Sequence, residues 1–457
     1  MSKSFQGVTK RLLAAATFLM LTGAANLASA ETLAEALASA YSGNPTLRAE
    51  RARQRGTDEQ VPQALSGWRP TVTAQGSVTP SWADTNVVKR SENTAAGVTI
   101  SLSQPIFRGF KTVNGTLQAE ANVLAGRQNL LSVEQDILFQ AVQAYMNVIR
   151  DRQIVSLRQK NVTVLQQELN ASNERFKVGE ITRTDVAQSR ARMAQSQASV
   201  ASATAALAAS VAAYEKIIGH KPGSLSYPKL ARLPRNLDEA QAAALEINPN
   251  ILAAAYVEEA ANYNIEVVKG DLLPELHVSA SATYTDDPQN GIERSNVEQL
   301  QGVLTVPLYE AGRVYSAVRQ SKQVASQRRL EVIQAGRAVR EGVSNSWHSL
   351  ESSGQAIQAD KTQVSANQLA LDGVRQEYLV GSRTTLDVLN AQSDVVTARI
   401  ALVSAERDQV VSSYQVLGSI GRLTARDLHL GVDYYDAESN YLAVRNKWFG
   451  TGADTVE

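Results

Sequence analysis

The sequence predicts an α+β membrane protein built from a duplicated unit, with long antiparallel coiled-coil helical hairpins and four transmembrane β-strands per chain that belong to a barrel shared between chains. Three observations predict it. The chain resembles itself at an offset of about 202 to 204 residues. Its prolines leave two long stretches free to be helix, and four alternating segments have the length of membrane strands.

Residues 1–30 have the order of an export signal: Lys3, Lys10 and Arg11, an apolar run over 12–25, then Ala28-Ser29-Ala30 as a small-residue cleavage site. The run is too short to span a bilayer, so the mature chain is expected to begin near Glu31. Lys+Arg and Asp+Glu both total 45, which gives no charge bias toward nucleic acid or an anionic surface. Cysteine is absent, which excludes disulfides, thiolate metal sites and a lipidated N-terminal Cys. Any membrane attachment must therefore come from the fold.

The repeat is carried by several motifs. Asn44-Pro45 recurs as Asn248-Pro249, and Trp68-Arg69-Pro70 as Leu272-Leu273-Pro274. Gln104-Pro105-Ile106-Phe107, followed by Gly109, returns as Val306-Pro307-Leu308-Tyr309, followed by Gly312. Phe176-Lys177-Val178-Gly179 returns as Tyr378-Leu379-Val380-Gly381. The expected first repeat covers 31–225, with strands over about 71–79 and 96–103 and a helical hairpin over about 109–219. The second covers 226–426, with strands over about 276–285 and 299–306 and a hairpin over about 312–421. Residues 427–457 form a C-terminal tail near the equatorial region between strands and helices.

The strands follow from alternation. Val72, Ala74, Gly76 and Val78 face away from Thr71, Thr73, Gln75, Ser77 and Thr79, and Ala96, Val98, Ile100 and Leu102 alternate with Gly97, Thr99, Ser101 and Ser103. Leu276, Val278, Ala280, Ala282 and Tyr284 do the same in the second repeat, while 299–306 matches less well. Each is close to the length of a tilted membrane strand, apolar on one face and polar on the other. Four strands cannot close a barrel, and an open edge in lipid is forbidden, so several chains must share one. The polar segments 80–94 and 286–297 are read as its external loops.

The helices follow from proline and from period. All 12 prolines lie between Pro45 and Pro307, with none between Pro105 and Pro222 or after Pro307. In those gaps Val148, Val155, Val162, Leu169 and Phe176 recur every seventh residue, as do Val343, Leu350, Ile357, Val364, Leu371 and Tyr378. After each Val-Gly pair a returning helix repeats the pattern through Val186, Met193, Val200, Leu207 and Tyr214, and through Val388, Val395, Leu402 and Val416, with polar Gln409 interrupting. Sustained sevens mean side-by-side helices with a left-handed supercoil. An outgoing arm from 109 to 176 would be about 100 Å long.

With these features, the mature chain resembles the TolC family of outer-membrane efflux proteins. The most specific stretch is Tyr378-Leu379-Val380-Gly381-Ser382-Arg383-Thr384-Thr385-Leu386-Asp387-Val388-Leu389-Asn390, and the run from Tyr434 to Gly450 resembles the branch that contains TolC itself. The resemblance implies a homotrimer, with a twelve-stranded β-barrel in the cell outer membrane and a tapering periplasmic α-barrel. It implies a periplasmic adaptor and an inner-membrane pump, of the ABC or RND type, as partners. Drugs, small molecules or secreted proteins would pass through passively.

Residue by residue, the resemblance places gate links between Thr184 and Asp185 on the first hairpin and Tyr378 and Arg383 on the second. It places Asp387 and Asn390 at the narrowest constriction, with three copies of Asp387 as an acidic ring and a neutral residue at Asn390 where a second acid is expected. The turns Val178-Gly179-Glu180 and Val380-Gly381-Ser382 would dock the adaptor. His220, His277, His348 and His429 are scattered, and no phosphate loop or nucleophile elbow appears. No catalytic, cofactor or metal site is therefore expected. The rival reading from another class is a soluble periplasmic coiled-coil scaffold or adaptor.

Overall fold

Two glycine-and-proline punctuated blocks alternate with two very long uninterrupted helices. The computed structural model describes residues 30–84, 86, 91–289 and 291–453, so the expected signal peptide, Ala30 apart, lies outside the described residues. The first repeat runs through α1 (Leu33–Gly43), α2 (Pro45–Asp58), α3 (Gln60–Leu65), β1 (Thr71–Ala83), β2 (Ser91–Arg108), α4 (Lys111–Lys177) and α5 (Arg183–Ile218). The second runs through α6 (Leu237–Ile247), α7 (Pro249–Lys269), β3 (Glu275–Gln289), β4 (Ile292–Thr305), α8 (Arg313–Leu379) and α9 (Thr385–Ile420), and α10 (Ala437–Val444) follows. The hairpin helices match in length, 67 residues for α4 and α8 and 36 for α5 and α9. At the rise of an α-helix the outgoing arms are about 100 Å long.

The recurring Asn-Pro pair has one structural job in both repeats. Asn44 and Asn248 cap α2 and α7 by accepting from the backbone N–H of Thr46 (2.9 Å) and Asn250 (3.0 Å), and proline fills the first helical position. Their amide groups donate to Ile217 O (3.0 Å) and Ser419 O (2.8 Å), at the ends of α5 and α9. Each short helix is thereby stitched to the end of a returning arm. Both arms then stop at a left-handed glycine, Gly219 and Gly421.

The largest core lies at this junction, around Leu37, Leu47, Leu138, Tyr145, Met146 and Tyr214, with Leu423 and Leu430 of the chain after α9. Tyr145 is fully buried, and its hydroxyl reaches the carbonyl oxygens of Glu31 and Ser226, both at 2.7 Å. Buried Glu134 accepts from the Ala425 N–H at 2.7 Å, and its burial raises the carboxyl above the usual range. The tail is thus tied to α4 by a hydrogen bond inside the core. Toward the tips the packing thins to a narrow seam in each hairpin: Leu165, Leu169 and Val186 are buried in the first, and Ile357 and Leu371 in the second, where Leu371 meets Val388 and Val395.

The four strands form one antiparallel sheet in the order β1-β2-β3-β4. β2 and β3 come from different repeats, so their ladder joins the two halves. At its foot Lys111 pairs with Asp271 (3.0 Å) and Glu275. Gly109 there has φ +56°, and a Cβ on it would lie 2.4 Å from the carbonyl oxygen of Gly270. Only glycine fits that approach.

Among the described residues, the segments read as external loops are mostly strand, while 85, 87–90 and 290 lie outside the described residues. β1 continues through Pro80, Ser81 and Trp82, β2 includes Ser91 to Thr94, and β3 and β4 extend to Gln289 and from Ile292. Backbone pairing needs no apolar side chain, so the ladder persists after the alternation ends. Periodicity marks the apolar zone of a strand rather than its length.

Gly109→Ala is expected to cost well over about 1 kcal/mol, because it meets backbone and must adopt positive φ. Gly115→Ala, inside α4 with open space around the added methyl, is expected to gain about 0.5–1 kcal/mol. Thermal midpoints of the two purified variants check both signs.

Candidate functional site

The register of the sheet decides where its side chains go. Val72, Leu102, Ala280 and Leu300 are paired in one row, and Ala74, Ile100, Ala282 and Glu298 in the next. Paired residues share a face, so the apolar positions of β1, β2 and β3 merge into one surface. That surface is bare: Val72 is 65% exposed, Val98 51% and Leu300 77%. The opposite face carries Thr, Ser and Gln, linked across strands by Thr73 Oγ1 to Ser101 Oγ (2.7 Å) and Thr99 Oγ1 to Thr283 Oγ1 (3.0 Å). Asn296 and Glu298 on β4 interrupt the apolar face, which is why that strand reads weakly in the sequence.

A sheet with one bare apolar face and one hydroxyl-lined face suits lipid on one side and water on the other. Water on both sides would leave an apolar patch of this kind uncovered, which counts against the soluble scaffold. Among the described residues, the outer edges of β1 and β4 have no partner in the sheet. No described helix is long and apolar enough to cross a membrane.

At the far end, both hairpins turn through the same geometry. Gly179 has φ +80° and Gly381 φ +82°. The N–H of Glu180 donates to Arg175 O and that of Ser382 to Glu377 O, both at 3.0 Å. The turns project Val178 and Val380, 72% and 80% exposed, with Glu180 and Ser382 also exposed beside them.

The first turn of each returning helix is held by a capping box. Asp185 Oδ2 accepts from Thr182 N (3.0 Å) and Thr182 Oγ1 (2.7 Å), and Asp387 Oδ2 from Thr384 N (2.9 Å) and Thr384 Oγ1 (2.8 Å). The same two threonines accept from the N–H groups of Asp185 and Asp387. Two aspartates to which the resemblance gives different roles, one gate link and one constriction residue, therefore share a local job. The Thr384 backbone N–H, then its hydroxyl, hold the Asp387 carboxyl below the usual range, and Arg383 adds to this.

The other named residues are placed as follows. Arg383 pairs with Glu377 of its own hairpin, Nε to Oε2 at 2.7 Å. Thr184 is exposed on the first turn of α5. The Tyr378 hydroxyl lies 3.2 Å from Thr385 Oγ1, and its ring lies under the Arg175 guanidinium of the other hairpin at 4.8 Å. Asn390 Oδ1 accepts from Arg192 Nη2 at 2.7 Å, and Gln392 Nε2 donates to Asn161 Oδ1 at 3.3 Å. Within one chain the hairpins thus meet through Arg175, Arg192 and Asn161, which the sequence reading does not single out. Their partners are about 200 positions away, where no period or motif reports contact. The threonine caps have a T-x-x-D spacing, a signal in the sequence that the reading above does not use. Among the described residues no group of three or more His, Asp or Glu could hold a metal.

The family model described as outer membrane efflux protein matches residues 36–220 and 241–422, one match per repeat. The chain belongs to the outer membrane efflux protein family. The outer membrane efflux protein BepC of Brucella suis is 42% identical over 446 residues, covering 96% of each chain. The outer membrane protein TolC of Escherichia coli is 27% identical, covering 92% of this chain and 88% of that one. In fold, the chain superposes on the Campylobacter jejuni CmeC outer membrane channel with TM-score 0.76 at 14% identity, over 91% of this chain and 89% of that one. Membership in this family of outer-membrane channels places the chain in the outer membrane, with its helices extending into the periplasm.

Because the Asp387 carboxyl is depressed in the folded chain, its contribution to the α9 start is present above the ordinary carboxylate pKa. It is lost as pH falls through the depressed value. Protection of the first-turn amides of α9, taken relative to their intrinsic exchange rate at each pH, should fall over that acidic window, and Thr384→Ala, expected to cost about 1 kcal/mol, should give low protection at every pH.

Proposed function

We propose that three copies of this chain assemble into an outer-membrane channel and periplasmic tunnel. A periplasmic adaptor and an inner-membrane pump deliver drugs, small molecules or secreted proteins to it, and these leave passively. The observation that carries this reading is the in-register sheet with a bare apolar face, a hydroxyl-lined face and two unpaired edges. In a ring, β4 of one copy pairs with β1 of the next, repeating the β2–β3 joint that already links the two repeats. Three copies give twelve strands, between filled small barrels and the wide porins.

The helices support the same operation. Within the chain α9 lies against α4, whereas α8, the counterpart of α4, leaves Leu330, Ile333 and Leu369 exposed. A neighbouring α5 laid on that surface repeats the internal seam. The tips Val178-Gly179-Glu180 and Val380-Gly381-Ser382 offer the adaptor an apolar residue on a rigid turn. The ring of Asp387, its carboxylate held ionised, favours cations at the entrance, while Asn390 adds no charge. Thr184, Asp185, Tyr378 and Arg383 remain in this proposal the residues whose contacts change as the tunnel opens. The chain performs no catalysis, and the energy for transport comes from the pump.

Planar-bilayer recording of protein extracted from outer membranes tests this, with ion-conducting steps as the expected result and silence as the contrary one. Val98→Arg, on the apolar face, is expected to destabilise the inserted barrel by about 2–4 kcal/mol, whereas Gln75→Arg on the opposite face should insert normally and alter ion selectivity. Yield in the outer-membrane fraction distinguishes the two variants.

A further inference from the structure

Two of the contacts that join the two hairpins near their tips come from arginines of the first hairpin. Arg175, in the last turn of α4, covers the Tyr378 ring, and Arg192, two turns into α5, donates to Asn390 Oδ1. In both cases the partner lies on the second hairpin. In neither is it a carboxylate, although Arg175 also pairs with Glu180 of its own tip, Nε to Oε2 at 4.0 Å. The duplication did not copy these contacts. At the offset that aligns the repeats, Arg175 corresponds to Glu377 and Arg192 to Asp394. An acid can neither cover an aromatic face as a cation nor donate to an amide oxygen. The hairpins have therefore diverged in charge where they meet.

We propose that Arg175 and Arg192 latch the first hairpin to the second and hold the entrance narrow, with Asn390 kept as a neutral acceptor for Arg192. This rests on the channel reading above. Asn390 is then more than a missing acid in the constriction, since its side-chain oxygen is the seat of the latch. Both arginines are partly exposed, so each link is weak and readily broken when a partner pulls on the tips.

The test records single-channel conductance for the wild type, Arg175→Ala, Arg192→Ala, Asn390→Ala, the Arg192→Ala/Asn390→Ala double variant and Asn390→Asp. Arg190→Ala removes an exposed charge from the same helix and serves as control. Arg175→Ala, Arg192→Ala and Asn390→Ala should each raise open occupancy by up to about fivefold, the scale of one exposed polar link. The double variant should match its singles, because both substitutions break one contact. Asn390→Asp keeps an acceptor and should stay at or below wild-type occupancy, and Arg190→Ala should stay at wild type. Arg192→Ala at wild-type occupancy, a double variant whose effect is the sum of its singles, or Arg190→Ala matching Arg192→Ala would overturn the latch. A wild-type assembly that never conducts overturns the channel reading beneath it, a result separable from a conducting wild type that these variants leave unmoved.

Discussion

Backbone N–H and C=O groups in hydrocarbon must be hydrogen-bonded within the protein, and an isolated four-stranded sheet has two edges where they are not. This constraint organises the molecule. The sheet shows its apolar face bare, and no described helix of the chain folds over it. What it lacks is more sheet, and the supply is further copies of itself. The long helices below inherit that arrangement, since arms attached at Gly109 and Gly312 to strands of a ring must themselves stand in a ring.

Duplication makes the closure economical. One joint, between β2 and β3 above and between α4 and α9 below, is built inside the chain, and its copy between chains needs no new geometry. The Asn44 and Asn248 stitches and the paired capping boxes at Thr182 and Thr384 show how closely local structure was preserved between repeats. Charge was not preserved to the same degree. Where Arg175 and Arg192 reach across the seam, the second repeat has Glu377 and Asp394. The local backbone solution is common to both hairpins, and the side chains that join one to the other are specific to each.

Much of the fold was legible because it depends on short-range chemistry. Proline-free stretches with sevenfold spacing gave the long arms, alternation gave the lipid-facing centre of each strand, and Val-Gly pairs gave the tips. The extent of the strands was not legible, since the polar residues Ser81, Asn93 and Glu92 continue the ladder and leave no alternating mark in the sequence. The site was read less completely. Asp185 and Asp387 stand out by position, yet the nearest work of each is to cap its own helix with a neighbouring threonine. Arg192 looks like any solvated helix charge until the fold brings Asn390 within 2.7 Å.

The central claim is that the four-stranded sheet is one part of a barrel closed by identical copies. Native mass spectrometry of the assembly extracted from outer membranes tests it most directly. The account predicts a mass of three mature chains, and a monomer that persists in the membrane fraction would contradict it.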